Sequence, residues 1–204
     1  MINKWNFLTL TNKEQEKKEI LTDQLPIEPS LAKLLVQRGI DTEDKAYDFF
    51  NPDLNKLHDP FLYPDMELAV KRIEKAIGNK EGILIYGDYD VDGTTAVALV
   101  YKFLRRFTNN IGYYIPDRYD EGYGISYQGI DYAVKTGVKL IIALDCGTKA
   151  VAKVDYAKEN GIDIVIGDHH MPGDILPRAV AVVNAKREDS IYPYSELSGC
   201  GVGF

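Results

Sequence analysis

Two hydrophobic patterns alternate along this chain from Asp65 onward. Short unbroken apolar runs fall at Ile83-Leu84-Ile85-Tyr86, Gly112 to Ile115, Leu140 to Leu144, Ile162 to Ile166 and Ala179 to Val183. Ahead of the first run, Met66, Ala69, Val70, Ile73 and Ile77 recur at helical spacing and stop at Gly78. Helices are likewise expected from Thr94 to about Phe107, from Ser126 to Thr136 and from Thr148 to Glu159. Strands that are apolar without alternation, separated by helices, belong to parallel sheets covered on both sides. The pattern therefore predicts an α/β fold: a mainly parallel five-stranded sheet with helices on both faces.

Residues 1–63 read differently and are expected to form a small helical cap before a domain of residues 64–204. Pro26, Pro29, Pro52, Pro60 and Pro64 punctuate this stretch. Ser30 is expected to cap a helix through Arg38, with Gly39 as its stop, and a second helix should run from Asp41 to Phe50 before Pro52. The chain closes on Leu197-Ser198-Gly199-Cys200-Gly201-Val202-Gly203-Phe204, whose small residues suggest backbone held close to something; the domain is expected to be truncated there.

In a parallel sheet, ligands sit beyond the carboxyl ends of the strands. The polar clusters follow the strands accordingly. After the first comes Gly87-Asp88-Tyr89-Asp90-Val91-Asp92-Gly93-Thr94-Thr95. One aspartate there would be a helix cap; three repel one another unless cations offset the charge. An EF-hand Ca²⁺ loop needs a longer ligand series and a closing Glu. Gly93, Thr94 and Thr95 fit a close approach of phosphate to a helix start. Asp145 follows the third strand, and Asp168-His169-His170 follows the fourth and holds two of the chain's 3 histidines. Carboxylates plus imidazole suit Mn²⁺ or Mg²⁺, with Zn²⁺ or Fe²⁺ as further options. Arg118, in the polar loop Ile115 to Gly124, either contacts phosphate or pairs with Asp120 or Glu121. Cys146 has no activating base in view and reads as a packed residue.

The net charge of −7 argues against a general nucleic-acid binder, although bound cations would reverse the local field. The run MINKWNFLTLTNKEQEKKE lacks the apolar core of a signal peptide, and no run of 18 apolar residues occurs, so a cytoplasmic location without membrane contact is expected.

With these motifs in order, the chain resembles the DHH phosphoesterases, the more so in its single-strand-specific exonuclease branch. The resemblance rests on Gly87 to Gly93, Ile115 to Gly124, Asp145-Cys146-Gly147, Asp168-His169-His170 and Leu197 to Phe204, and it extends to Arg38-Gly39-Ile40, Phe50-Asn51-Pro52 and His58-Asp59-Pro60. It implies metal-dependent phosphodiester hydrolysis, 5′→3′ on single-stranded DNA, releasing 5′-mononucleotides in DNA repair and recombination. It implies that Asp90, Asp92, Asp145 and His169 hold two Mn²⁺ or Mg²⁺ ions, Asp145 between them, with His170 also catalytic and Asp88 and Asp168 in support. Thr94, Thr95 and Arg118 are the candidate substrate contacts. Single-stranded DNA is the implied partner, alongside a single-strand-binding protein and a helicase. Many relatives carry a histidine four residues before Asp90; Tyr86 stands there, a departure that bears on one metal's usual ligand. The resemblance also places a further metal aspartate, a second catalytic domain, an oligonucleotide-binding fold and the 5′-end-recognition residues outside this chain, so the isolated chain is expected to be inactive. The rival expectations are a phosphodiesterase for short oligonucleotides or cyclic dinucleotides, and a non-catalytic nucleic-acid scaffold.

Overall fold

A computed structural model describes residues 7–204. The chain forms two compact units, Met1–Leu57 and His58–Phe204. In the first, α1 (Asn12–Gln24), α2 (Pro29–Gln37) and α3 (Glu43–Phe50) enclose a small core of Leu21, Ala32, Leu35, Val36 and Ala46. Helix α1 was not expected from the sequence: its apolar face is too thin to give a period, and a Thr11–Glu14 capping box starts it instead. Ser30 is not the cap of α2. Glu28 is, because Pro29 brings a φ suited to the first helical position. Helix α3 starts two residues later than expected, capped by Thr42, while Asp41 pairs with Lys17 and Lys45. Gly39 ends α2 with φ 76°, a conformation that favours glycine.

The second unit begins at His58, so Tyr63 lies in its core, where its ring stacks on Tyr192 with centroids 3.8 Å apart. Its elements are α4 (Met66–Gly78), β1 (Gly82–Gly87), α5 (Val91–Leu104), β2 (Ile111–Tyr114), α6 (Tyr127–Lys135), β3 (Val138–Leu144), α7 (Val151–Glu159), β4 (Asp163–Gly167), β5 (Ala181–Val183) and α8 (Gly199–Gly203). The five strands form one sheet, all parallel, in the order β2-β1-β3-β4-β5. Alternate strand residues feed two cores. Leu84, Tyr86, Ile141, Ala143, Ile164 and Ile166 pack with Ile130 and Ala133 of α6 and Val154 and Ala157 of α7. Ile83, Ile85, Leu140, Ile142, Leu144 and Val165 pack with Ala69 and Ala76 of α4 and Ala96, Val97 and Leu104 of α5. Burying both sides explains the unbroken apolar runs, since each Ile or Leu removed from water is worth roughly 1.5–3 kcal/mol on either face.

Several boundaries differ from the sequence expectation. Helix α5 begins three residues early at Val91, because Asp90 accepts from Gly93 N (2.9 Å) and caps it. It also ends three residues early, at Leu104. Helix α7 starts three residues late, since Gly147 takes φ 111° in the preceding turn. Among the described residues no helix is long and apolar enough to cross a membrane.

Candidate metal centre

The sheet register decides the site. Gly87 pairs with Leu144, Leu144 with Gly167, and Gly167 with Val183. The next residues in each strand direction are Asp88, Asp145, Asp168 and Asn184, so four polar residues stand in a row across the carboxyl edge. All four are buried. The ladder runs on through them: Asp145 N donates to Gly167 O (2.9 Å) and Asp168 N to Val183 O (3.0 Å). Asp90 and Asp145 thus share one edge, as the fold requires.

Asp168 is fully occupied. Its Oδ2 accepts from Thr148 N (3.0 Å), and its Oδ1 from His169 N (2.8 Å), His170 N (3.2 Å) and His170 Nδ1 (2.7 Å). Burial pushes its pKa up, but these donors outweigh it and hold the carboxyl below its usual range. Asp168 therefore shapes the corner that aims both imidazoles. Asn184, not anticipated from the sequence, clamps the same corner through Thr148 Oγ1 (3.1 Å) and His170 O (2.8 Å). Its signal was positional only: it follows the last strand by one residue.

His169 Nδ1 meets the carbonyl oxygen of Leu197 at 3.0 Å. A carbonyl only accepts, so Nδ1 carries a proton, and in the neutral ring Nε2 is then a lone pair. That lone pair lies 3.1 Å from Asp145 Oδ1, which is buried without a hydrogen-bond partner. Proximity and orphan status do not conflict: a lone pair facing a carboxylate makes no hydrogen bond. A cation between them would reconcile the two, and a ring N–H tied to a backbone carbonyl is the usual support of a ligating histidine. Asp145 Oδ1, His169 and His170 offer three ligand atoms within 4.8 Å of one another. Asp88 Oδ1 is a second buried carboxylate oxygen without a partner.

Asp145 sits at φ 57°, rare for a residue with a side chain, and this turn out of β3 holds the carboxylate in the crevice. Burial first, then the charges of Asp92 and Asp90, push its pKa up to about 7. Asp92 behaves oppositely. Burial raises its pKa, but Cys200 N and Gly199 N, both donating at 2.7 Å, more than compensate and lower it. Its Oδ2 lies 3.7 Å from His169 Nε2, and a carboxylate accepting two hydrogen bonds keeps lone pairs for a metal. The close approach anticipated for the terminal small residues is thus at Gly199: a Cβ there would lie 2.4 Å from Asp145 Oδ1.

The candidate phosphate contacts have partners of their own in this structure. Gly93 makes room for protein rather than phosphate, since a Cβ would lie 2.5 Å from Asp88 O, and its N–H is taken by Asp90. The Thr94 and Thr95 hydroxyls bond back to Asp90 O (2.7 Å) and Val91 O (2.6 Å) within their own helix, so as placed neither offers its proton to substrate. Arg118 pairs with neither Asp120 nor Glu121. It is exposed and lies 5.1 Å over the Tyr89 ring, while Glu121 accepts from Tyr114 Oη, Asp117 N and Ser126 Oγ and so braces the loop. Tyr86 turns into the core, its hydroxyl donating to Gly124 O (3.0 Å) and accepting from Ser126 N (3.1 Å), so it is no substitute for a histidine ligand. Tyr123, missed in the sequence, reaches His170 Nε2 at 3.0 Å.

The family model of the DHH family, N-terminal domain, matches residues 82–204, the stretch that carries this sheet and its edge. The chain belongs to the DHH family. Among curated DHH relatives, the single-stranded-DNA-specific exonuclease RecJ of Bacillus subtilis (strain 168) is 42% identical over 191 residues, which is 94% of this chain and 24% of that protein. The chain thus spans about a quarter of that relative's length. A crystal structure of exonuclease RecJ bound to manganese superposes with TM-score 0.64 at 27% identity, covering 72% of this chain and 37% of the other. The structure of RecJ in complex with Mn²⁺ from Thermus thermophilus shares the fold, with TM-score 0.67 at 24% identity over 97% of this chain and 27% of the other.

Proposed function

We propose that this chain supplies the first part of a metal-dependent phosphodiesterase centre, in a protein that degrades single-stranded DNA 5′→3′ to 5′-mononucleotides. The observation that carries this reading is the convergence of the His169 Nε2 lone pair on the unpartnered, buried Oδ1 of Asp145, 3.1 Å away. Asp145 and His169 would hold a divalent ion, with Asp92 and Asp90 completing the ligand set. Oxygen and imidazole donors fit Mn²⁺ or Mg²⁺, and the relatives described as Mn²⁺-bound are consistent with that choice. When bound, such an ion lowers the pKa of water and neutralises charge developing on a phosphoryl group.

The remaining work falls to the chain's own residues. Asp168 fixes the His170 ring through Nδ1, and Tyr123 occupies its Nε2. The ring is thereby held in one orientation, and in its doubly protonated form it would donate Nε2–H to a phosphoryl oxygen once Tyr123 yields that nitrogen. Arg118, stacked on Tyr89 at the exposed rim, offers a planar guanidinium to backbone phosphate. The acidic balance of the chain does not oppose this, because the ions invert the local field. The 42% identity to an exonuclease over 94% of this chain favours this reading over a cyclic-dinucleotide phosphodiesterase.

The test is a nuclease assay on the whole protein with Mn²⁺ or Mg²⁺, comparing single- and double-stranded ends. The expected result is 5′-mononucleotides from single strands only, near-complete loss in Asp145→Ala, and little turnover by residues 1–204 alone. Undiminished turnover by Asp145→Ala would overturn the assignment.

A further inference from the structure

Beside the metal centre lies a cleft whose cations have so far been given no role. It has a volume of about 220 Å³ and opens between the Tyr123–Ile125 loop, the Gly147–Ala150 turn before α7, and the Asp168 and His170 corner. Besides Tyr123 and His170, it is lined by Lys149 and Lys153. Asp168 also lines it, but its oxygens are already taken by Thr148, His169 and His170. Among the described residues neither lysine makes a salt bridge, in a chain where Asp and Glu number 31 against 24 Lys and Arg. What sets these two apart is their place: Lys149 and Lys153, four positions apart, put two positive charges on one wall of the cleft. Lys149 is exposed and its stem runs past Gly173, whose missing Cβ would lie 3.8 Å from Lys149 Cγ. Lys153 is partly buried in the first turn of α7.

Two like charges on one concave wall repel, and an anion between them relieves that repulsion more than it would on an open surface. The volume sets the size of the anion. It falls below the 300 Å³ or so at which drug-sized ligand sites begin. That suits one phosphate with part of its sugar, and not an oligonucleotide. The cleft shares His170 and Tyr123 with the proposed centre, so an occupant would sit next to the reacting phosphate.

We propose that this cleft is a phosphate subsite. Lys149 and Lys153 take the backbone phosphate adjacent to the scissile one and so set the register of the strand over Asp145 and His169. The proposal rests on reading the centre as a phosphodiesterase.

It is tested first on this chain without metal, by following backbone amide resonances on addition of a thymidine dinucleotide, thymidine 5′-monophosphate, inorganic phosphate or thymidine. Shifts confined to Gly147–Lys153 are expected with the two nucleotides and not with thymidine. Lys149→Gln/Lys153→Gln should abolish them, Lys149→Arg/Lys153→Arg should retain them, and Lys158→Gln, far along α7, should change nothing. In the whole protein the double Gln variant should raise KM for single-stranded DNA about tenfold with kcat within about twofold. It should also make the salt dependence of binding shallower by about 1.4, at ~0.7 per lost contact on a single strand. Nucleotide shifts that persist in the double Gln variant, equal response to thymidine, or a response to inorganic phosphate with none to either nucleotide would overturn the subsite. If the whole protein proves not to cut DNA while the nucleotide shifts still depend on both lysines, the activity reading falls and the subsite stands.

Discussion

Replacing Asp145 with Asn should stabilise the metal-free chain at alkaline pH while removing its affinity for a divalent ion. Asp145 is 2% exposed, its Oδ1 lacks a partner, and its pKa is pushed up to about 7 from 3.8 by burial and by Asp92 and Asp90. A folded pKa above the unfolded one means that the fold binds the proton more tightly. The stability tied to this group is then fully present below about pH 4 and is lost as pH rises to about 7, beyond which the loss is constant. Raising the pKa from 3.8 to about 7, at about 1.36 kcal/mol per tenfold change in proton affinity, sets a ceiling of ~4 kcal/mol. Part of it is repulsion between acids that share a solvated crevice, so ~2 kcal/mol is the working figure. Asparagine keeps the shape and removes the charge. Urea denaturation in EDTA should therefore show the Asp145→Asn variant ahead of wild type by ~2 kcal/mol at pH 8, with the gap closing toward pH 4. Saturating Mn²⁺ should reverse the order, because only wild type gains from binding the ion in the folded state. A variant less stable than wild type at pH 8 without metal, or a gap independent of pH, would refute the reasoning.

Two further substitutions probe the supports of the centre. Gly199→Ala puts a Cβ 2.5 Å from Asp145 Cγ and displaces the amides that hold Asp92, so it should cost ~1–3 kcal/mol and weaken Mn²⁺ binding in a calorimetric titration, despite alanine's better helix propensity; unchanged affinity would contradict the packing. Asp168→Ala strips the Thr148, His169 and His170 donors of their buried acceptor and should lower stability by ~3 kcal/mol in urea at pH 7, whereas a surface-like effect below ~0.5 kcal/mol would show that the corner is held by other means.

The sequence by itself determined what depends on neighbours in the chain. Unbroken apolar runs fixed the five strands to within about two residues, because strands buried on both faces need no alternation. Helical spacing placed α4 at Met66–Gly78, and the Asp-rich and Asp-His-His runs marked the edge where chemistry belongs. Helix α1 escaped because its cap, and not an apolar face, defines it.

Only the tertiary structure decided what depends on register and on contacts between distant segments. That Asp88, Asp145, Asp168 and Asn184 form one row follows from strand pairing, which no local pattern encodes. Asp92 looked like a free ligand, yet its carboxylate is bound by the amides of Gly199 and Cys200, more than a hundred positions away. Thr94 and Thr95 looked available to a phosphate until α5 began at Val91 and absorbed their hydroxyls. Residue type supplies a donor or a lone pair, but whether it remains free depends on which other segment the folded sheet brings within about 3 Å of it.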